Sequence, residues 1–172
     1  SHTSVGFDSF GGVLVSYYDA TNEGVKVAYR DNDAPLSGAW GDGASTVFAV
    51  GDYGTIRRYS GQAWPPAAQG TSVGLNGIWG TSSSNVYAVG DGGTILHYSG
   101  STWTPMSSGT TVSLLGVWGR SASEIYVVGE GGVILRYDGS VWTPMGSGTT
   151  RSLAGVWGAP SSSDVFAVGE YG

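Results

Sequence analysis

Four carboxylates recur at one place in a repeating pattern: Asp52, Asp91, Glu130 and Glu170. If the units that carry them are arrayed around one axis, they lie on one rim, where they could hold a cation or receive sugar hydroxyls. Calcium asks for six to eight oxygens at about 2.4 Å from a converging cluster, and nothing local supplies that number. Asp and Glu beside Gly also serve as solvated turn residues, which is the plainer expectation for all four.

The seven tryptophans are a second candidate set. Trp40, Trp79, Trp118 and Trp157 stand 39 residues apart, and Trp64, Trp103 and Trp142 form another ladder of the same period. Indole faces stack on sugar rings, so either ladder could bind carbohydrate. Trp64, Trp103 and Trp142 precede Pro65, Pro105 and Pro144 on an outer strand and are retained as ligand-binding candidates. Their competing role is core packing, with the indole N–H finding a turn acceptor. For the first ladder, flanked by Gly, packing between units is expected.

Other chemistry is thin. One basic residue precedes each repeat tyrosine, Arg58, His97 and Arg136, but equivalent positions in separate units diverge, and stacking beside Tyr59, Tyr98 and Tyr137 is the simpler role. His97 is the only imidazole besides His2, so a histidine metal site is not expected. A Ser-His-Asp arrangement would have to use His97, and no nucleophile is assigned. The glycine-rich stretches G-D-G-G and G-E-G-G lie between strands, not before a helix, so they are not phosphate loops. No catalytic residue, metal or cofactor is assigned.

The elements that must position these residues follow from composition and period. Of 172 residues, 31 are Gly and only 12% are charged, against roughly 7% Gly and 25% charged residues in ordinary domains. Long helices are excluded, since each interior Gly costs about 1 kcal/mol relative to Ala. A net charge of -6 argues against nucleic acid or an anionic membrane as partner. No apolar run approaches the roughly 20 residues of a membrane span. The absence of Cys removes disulfides and thiolate zinc sites together. A Gly-, Ser-, Thr- and Trp-rich acidic chain leans toward a secreted or extracellular protein.

Aligning residues 79–117 with 118–156 gives 26 identities in 39 positions without a gap. The unit reads G-[VI]-W-G, a Ser-rich stretch, [VI]-[YF]-[AV]-V-G-[DE]-x-G-[TV]-I, then Y-x-G-x-x-W and a polar close. Four strands are expected per unit, for instance at Leu115–Trp118, Ile125–Val128, Val133–Tyr137 and Val141–Met145. Between them, G-E-G-G and D-G-S supply the positive φ of tight turns. Val86-Tyr-Ala-Val89 and Ile125-Tyr-Val-Val128 are apolar at odd and even positions, so both faces of the sheet must be covered. Four short strands per period of about 40 and two buried faces indicate an all-β fold, a β-propeller of about four blade units per chain.

The block V-Y-A-V-G-D-G-G-T-I-L-H-Y-S-G-S-T-W-T-P-M (Val86 to Met106) resembles the Gly/Trp repeats of many secreted bacterial propeller proteins of unassigned function. It is more distantly similar to photosystem II assembly-factor-like and sialidase-type propeller repeats. The resemblance spans residues 37–172 and implies the fold. The Asp box of sialidases and the W-D dipeptide of WD40 blades are absent.

Both ends break the period. Residues 1–36 read as a divergent partial blade of three strands, Ser4–Ser9, Val13–Tyr18 and Val25–Arg30. Residues 37–172 read as three full blades plus a final half blade, so that the whole chain holds 17 strands. Unpaired edges template aggregation, and two closures are open. Strands of residues 1–36 dock on the final half blade, or the edges meet a second chain in a homo-oligomer, which the odd strand count favours. The functional expectation is a non-catalytic binding or interaction module for a glycan or a protein, because near-identical blades offer equivalent shallow pockets rather than singular catalytic groups. The alternatives are a fragment of a secreted glycosidase or sialidase-like enzyme, with Asp8, Tyr17, Asp19 and Arg30 as first suspects, or a truncated propeller with no evolved ligand.

Overall fold

A computed structural model describes residues 35–170 apart from 44–45, 61–63, 65–69 and 160–161, together with the backbone of three strands nearer the N-terminus. Those three form the first sheet: β1 (Thr3–Phe7), β2 (Val13–Asp19) and β3 (Gly24–Ala28). The second sheet holds β4 (Leu36–Gly41), β5 (Val47–Gly51) and β6 (Ile56–Tyr59). The third holds β7 (Leu75–Ser82), β8 (Asn85–Gly90), β9 (Ile95–Tyr98) and β10 (Trp103–Met106). The fourth holds β11 (Leu114–Ser121), β12 (Glu124–Gly129), β13 (Ile134–Tyr137) and β14 (Trp142–Met145). The last holds β15 (Leu153–Gly158) and β16 (Val165–Gly169).

Every sheet is an antiparallel meander, and successive sheets pack through their first strands: β4 on β7, β7 on β11, and β11 on β15. This is the β-propeller architecture. The outer strand expected around Trp64 lies outside the described residues except for Trp64 itself. Among the described residues, the first sheet lies beside β4. It does not join β15 and β16, which pair only with each other. Closure of the last sheet by residues 1–36 of the same chain is therefore not what these residues show.

The core lies between the sheets. Phe48, Val50 and Ile56 on one sheet pack with Ile78, Val86, Ala88, Leu96, Tyr98 and Trp103 on the next. Val89 and Ile95 repeat the arrangement against Leu114, Val127 and Leu135. Apolar residues at both parities of the second strand are thereby explained, because each faces a different neighbouring blade. The recurring W-G pair has an equally local cause. An added Cβ on Gly119 would meet the Trp79 ring at 2.6 Å, and one on Gly80 would meet the Trp40 ring at 3.0 Å. Each indole edge thus lies over the glycine of the following blade, and Trp118 does the same over Gly158.

Candidate functional site

The first strand of each blade from β4 onward shifts register after its leucine, at Leu36/Gly38, Leu75/Gly77, Leu114/Gly116 and Leu153/Gly155. Such a bulge leaves one residue unpaired and re-aims it. Opposite it, the second strand ends in the turn that carries the rim carboxylate. The backbone N–H of Asp52, Asp91, Glu130 and Glu170 donates to the carbonyl of Pro35, Gly74, Ser113 and Ser152, at 2.9, 2.9, 3.0 and 3.0 Å. Next in the turn come Tyr53, Gly92 and Gly131 with φ of 55, 61 and 64°, the left-handed region that Gly enters without a Cβ penalty.

The structure therefore places all four carboxylates at equivalent turns. Asp52 and Asp91 both approach Gly74, where an added Cβ would lie 3.8 Å from Asp52 Oδ1 and 2.7 Å from Asp91 Oδ2. Asp91 Oδ1 accepts a hydrogen bond from Asn76 Nδ2 at 3.0 Å, and the same amide donates to Leu114 O of the next blade at 3.1 Å. Asn76 is the bulge residue of its blade, and the equivalent positions carry Ser37, Leu115 and Ala154. It was missed in the sequence because only its departure from the repeat distinguishes it. Among the described residues, no group of three or more His, Cys, Asp or Glu could hold a metal ion.

The second tryptophan ladder lies among aromatic side chains. Trp103 is 8% exposed and meets Phe48 of the preceding blade edge-on at 5.9 Å. Trp142 meets Tyr87 at 6.5 Å, and half-buried Trp64 packs on Tyr59 at 5.2 Å. The indole nitrogens of Trp103 and Trp142 are buried without a hydrogen-bond partner. The first ladder stacks on the cross-strand aromatic: Trp79 on Tyr87, Trp118 on Tyr126 and Trp157 on Phe166.

Two of the basic residues, His97 and Arg58, stack across the strand, not on the adjoining tyrosine. His97, paired with Tyr87 in the ladder, lies 4.5 Å from its ring, and its Nε2 lies 2.6 Å from Asn85 Oδ1. The Arg58 guanidinium lies over Phe48 at 5.5 Å and donates to Tyr98 Oη at 3.3 Å. Directly opposed residues on one face are simply nearer than chain neighbours, whose side chains point to opposite faces. Burial lowers the His97 pKa. Burial, with neighbouring Tyr137, pushes Tyr87 up to about 12. Asp8 and Arg30 lie outside the described residues, as do the side chains of Tyr17 and Asp19.

A groove of about 860 Å³ runs along β13 and β14, lined by Gly132, Ile134, Pro144, Met145, Ser147 and Thr149 among others. Met145 is 46% exposed, whereas its counterpart Met106 packs against Trp142. A smaller depression beside Leu153, Ala167, Val168 and Glu170 shares Thr149 and Arg151 with it. The sequence pattern alone does not reveal this groove, since Met145 and Met106 sit in the same T-P-M triplet.

No family model matches the chain, and no curated protein does. Solved structures do. "YCF48 from Cyanidioschyzon merolae" is 15% identical with a TM-score of 0.69, over 97% of this chain and 63% of that one. "YCF48 bound to D1 peptide" is 18% identical with a TM-score of 0.63, over 80% of this chain and 47% of that one. The likeness is one of fold, and this chain spans less than two thirds of either structure.

Proposed function

We propose that the chain is a non-catalytic propeller module that binds a protein partner through a peptide segment lying in the groove along β13 and β14. The observation that carries this reading is the groove itself. Its floor offers apolar Ile134 and Met145, and its rim offers backbone and hydroxyl groups of residues 146–149. A peptide needs that mixture, with apolar contact for affinity and a few polar groups for orientation. The solved structure titled "YCF48 bound to D1 peptide" supports it by similarity of fold. With it we propose the division of the chain into a divergent three-stranded sheet over residues 1–36 and a repeat region over residues 37–172.

Peptide display and a glycan array, run on the full chain and on Met145→Glu, test the reading. Selected peptides should bind the parent and lose at least tenfold in affinity to the variant. Binding of glycans alone, centred on Trp64, Trp103 or Trp142 or on the rim carboxylates, would replace the protein partner with a carbohydrate. Sedimentation mass tests self-association through blade edges.

A further inference from the structure

We infer a second interaction surface, separate from the groove: the rim where the second and third sheets adjoin takes a segment of a partner protein that carries an arginine beside an apolar residue. Tyr53 is 69% exposed and Val73 39%. Tyr53 sits in the turn after β5 and Val73 in the loop before β7. Neither belongs to the last sheet, and this junction lies inside the array, where β4 packs on β7 and β7 on β11. Their exposure is that of a face and not of an end. The two are also neighbours. A Cβ added to Gly54 would strike the Thr71 carbonyl and come within 3.3 Å of Ser72 Cα, so the turn holding Tyr53 rests on the loop holding Val73.

Three departures from the repeat meet at this spot. Where the next two sheets turn on Gly92 and Gly131, the second sheet turns on Tyr53, with φ of 55°. Gly holds that conformation without a Cβ penalty, and a ring this exposed adds little to the core. Neither the turn nor the packing accounts for the tyrosine, and strained residues kept without a local reason point to function. The residue before the leucine of the first strand is Gly74, where the following blades carry Ser113 and Ser152. Two positions on, Asn76 stands in place of Leu115 and Ala154. Departures gathered at one spot of a repetitive surface make that spot singular.

Together they shape a receptor for a cation. A Cβ on Gly74 would lie 2.7 Å from Asp91 Oδ2 and 3.8 Å from Asp52 Oδ1, so two carboxylate oxygens converge on space that a glycine leaves open. Asn76 Nδ2 donates to the other oxygen, Asp91 Oδ1, at 3.0 Å and leaves Oδ2 turned toward Gly74. A guanidinium carries five donors in one plane, can reach both carboxylates at once, and stacks its flat face on aromatic rings. Its hydrocarbon stem and an adjoining apolar side chain then rest on Tyr53 and Val73. The net charge of -6 draws such a segment in and repels acidic ones.

A displayed library of short random peptides, panned on the full chain carrying Met145→Glu, is the direct probe, since that change takes the groove along β13 and β14 out of play. Enriched peptides should carry arginine beside an apolar residue, and a synthetic copy should bind one to one. Its affinity should fall about tenfold or more for Tyr53→Gly, for Asp52→Asn and for Gly74→Ser. It should fall likewise when citrulline replaces the peptide's arginine, and weaken as salt is raised. Tyr53→Gly relieves the backbone, and the side chain of Gly74→Ser meets only the carboxylate ends of Asp91 and Asp52, so thermal melts should show both variants folded. Enrichment without arginine, or binding that Tyr53→Gly or Gly74→Ser leaves unchanged, overturns the inference. So does a dimer of the chain that Tyr53→Gly dissolves, which would make a second copy the occupant. The groove is tested by Met145→Glu in the otherwise unaltered chain, so either surface can fail without the other.

Discussion

Phe48 and Phe166 occupy the same position in two repeat units, and the structure treats them as opposites. Phe48 is fully buried beneath Tyr98 and Trp103, whereas Phe166 is 56% exposed. Val50, Val89 and Val128 are all at 0%, while their equivalent Val168 is 65% exposed. Trp157 likewise stacks on Phe166 within its own sheet but has no following glycine beneath its edge among the described residues. The repeat dictates each strand and the parity of its apolar residues. Whether that surface is interior is decided by the neighbouring blade.

The largest effects should come from the interior member of each pair. Phe48→Ala is expected to cost about 3–5 kcal/mol, as for buried aromatic truncations generally, whereas Phe166→Ala should stay within about 0.5 kcal/mol. Denaturant midpoints measured on both variants make this the sharpest test. Equal losses would mean that the last face is covered in solution.

Next in size is Gly119→Ala. Its Cβ would meet the Trp79 ring at 2.6 Å and Glu124 O at 2.9 Å, and overpacking of this kind costs about 1–3 kcal/mol. Gly146→Ala meets nothing within 4 Å and serves as the neutral control in the same thermal melts.

The turns should give about 1 kcal/mol. Gly92 has φ of 61° with open space around it, so Gly92→Ala isolates the left-handed backbone penalty. Tyr53→Gly at the equivalent turn removes that penalty but loosens the unfolded chain. Its melting temperature should move less than that of Gly92→Ala, and in the opposite direction.

The smallest effect concerns the junction between the fourth and last sheets. Arg120 donates to Glu124 Oε1 at 2.5 Å and to Ser162 O of the last sheet's hairpin at 2.6 Å. The first of these bonds holds the Glu124 pKa below its ordinary value. Its stabilisation is therefore complete above the unfolded carboxylate value, roughly 4.3, and fades as pH falls through the lower folded value. Glu124→Gln should flatten the acid limb of a stability-against-pH curve slightly. An unchanged slope would remove the ion pair from the junction.

Much of the fold was legible because turn chemistry marks the hairpin turns within each blade. β11 to β14 fall where the G-E-G-G and D-G-S turns put them, and the paired apolar parities of Val86–Val89 gave the two covered faces. Other boundaries moved: β11 runs to Ser121, where Trp118 was expected, and the ends expected at Ser9 and Arg30 lie outside the described residues. The site was less legible. A period reveals equivalence, so it hides what differs between equivalent residues, namely the exposure of Met145 and the hydrogen bonds of Asn76. The stacking of His97 on Tyr87 needed strand register, which composition does not carry.

The seating of each indole over the glycine one blade further on gives the stack a direction, with a knob on one side of every unit and its socket on the other. Insertion or loss of a whole period preserves every such fit, because each unit brings both halves of the joint. A change of any other length between an indole and the next socket glycine would set the indole against a side chain. A hairpin loop, by contrast, can absorb it, as the extra residue between Trp157 and Val165 shows. Arrays built this way can grow or shrink only in complete steps.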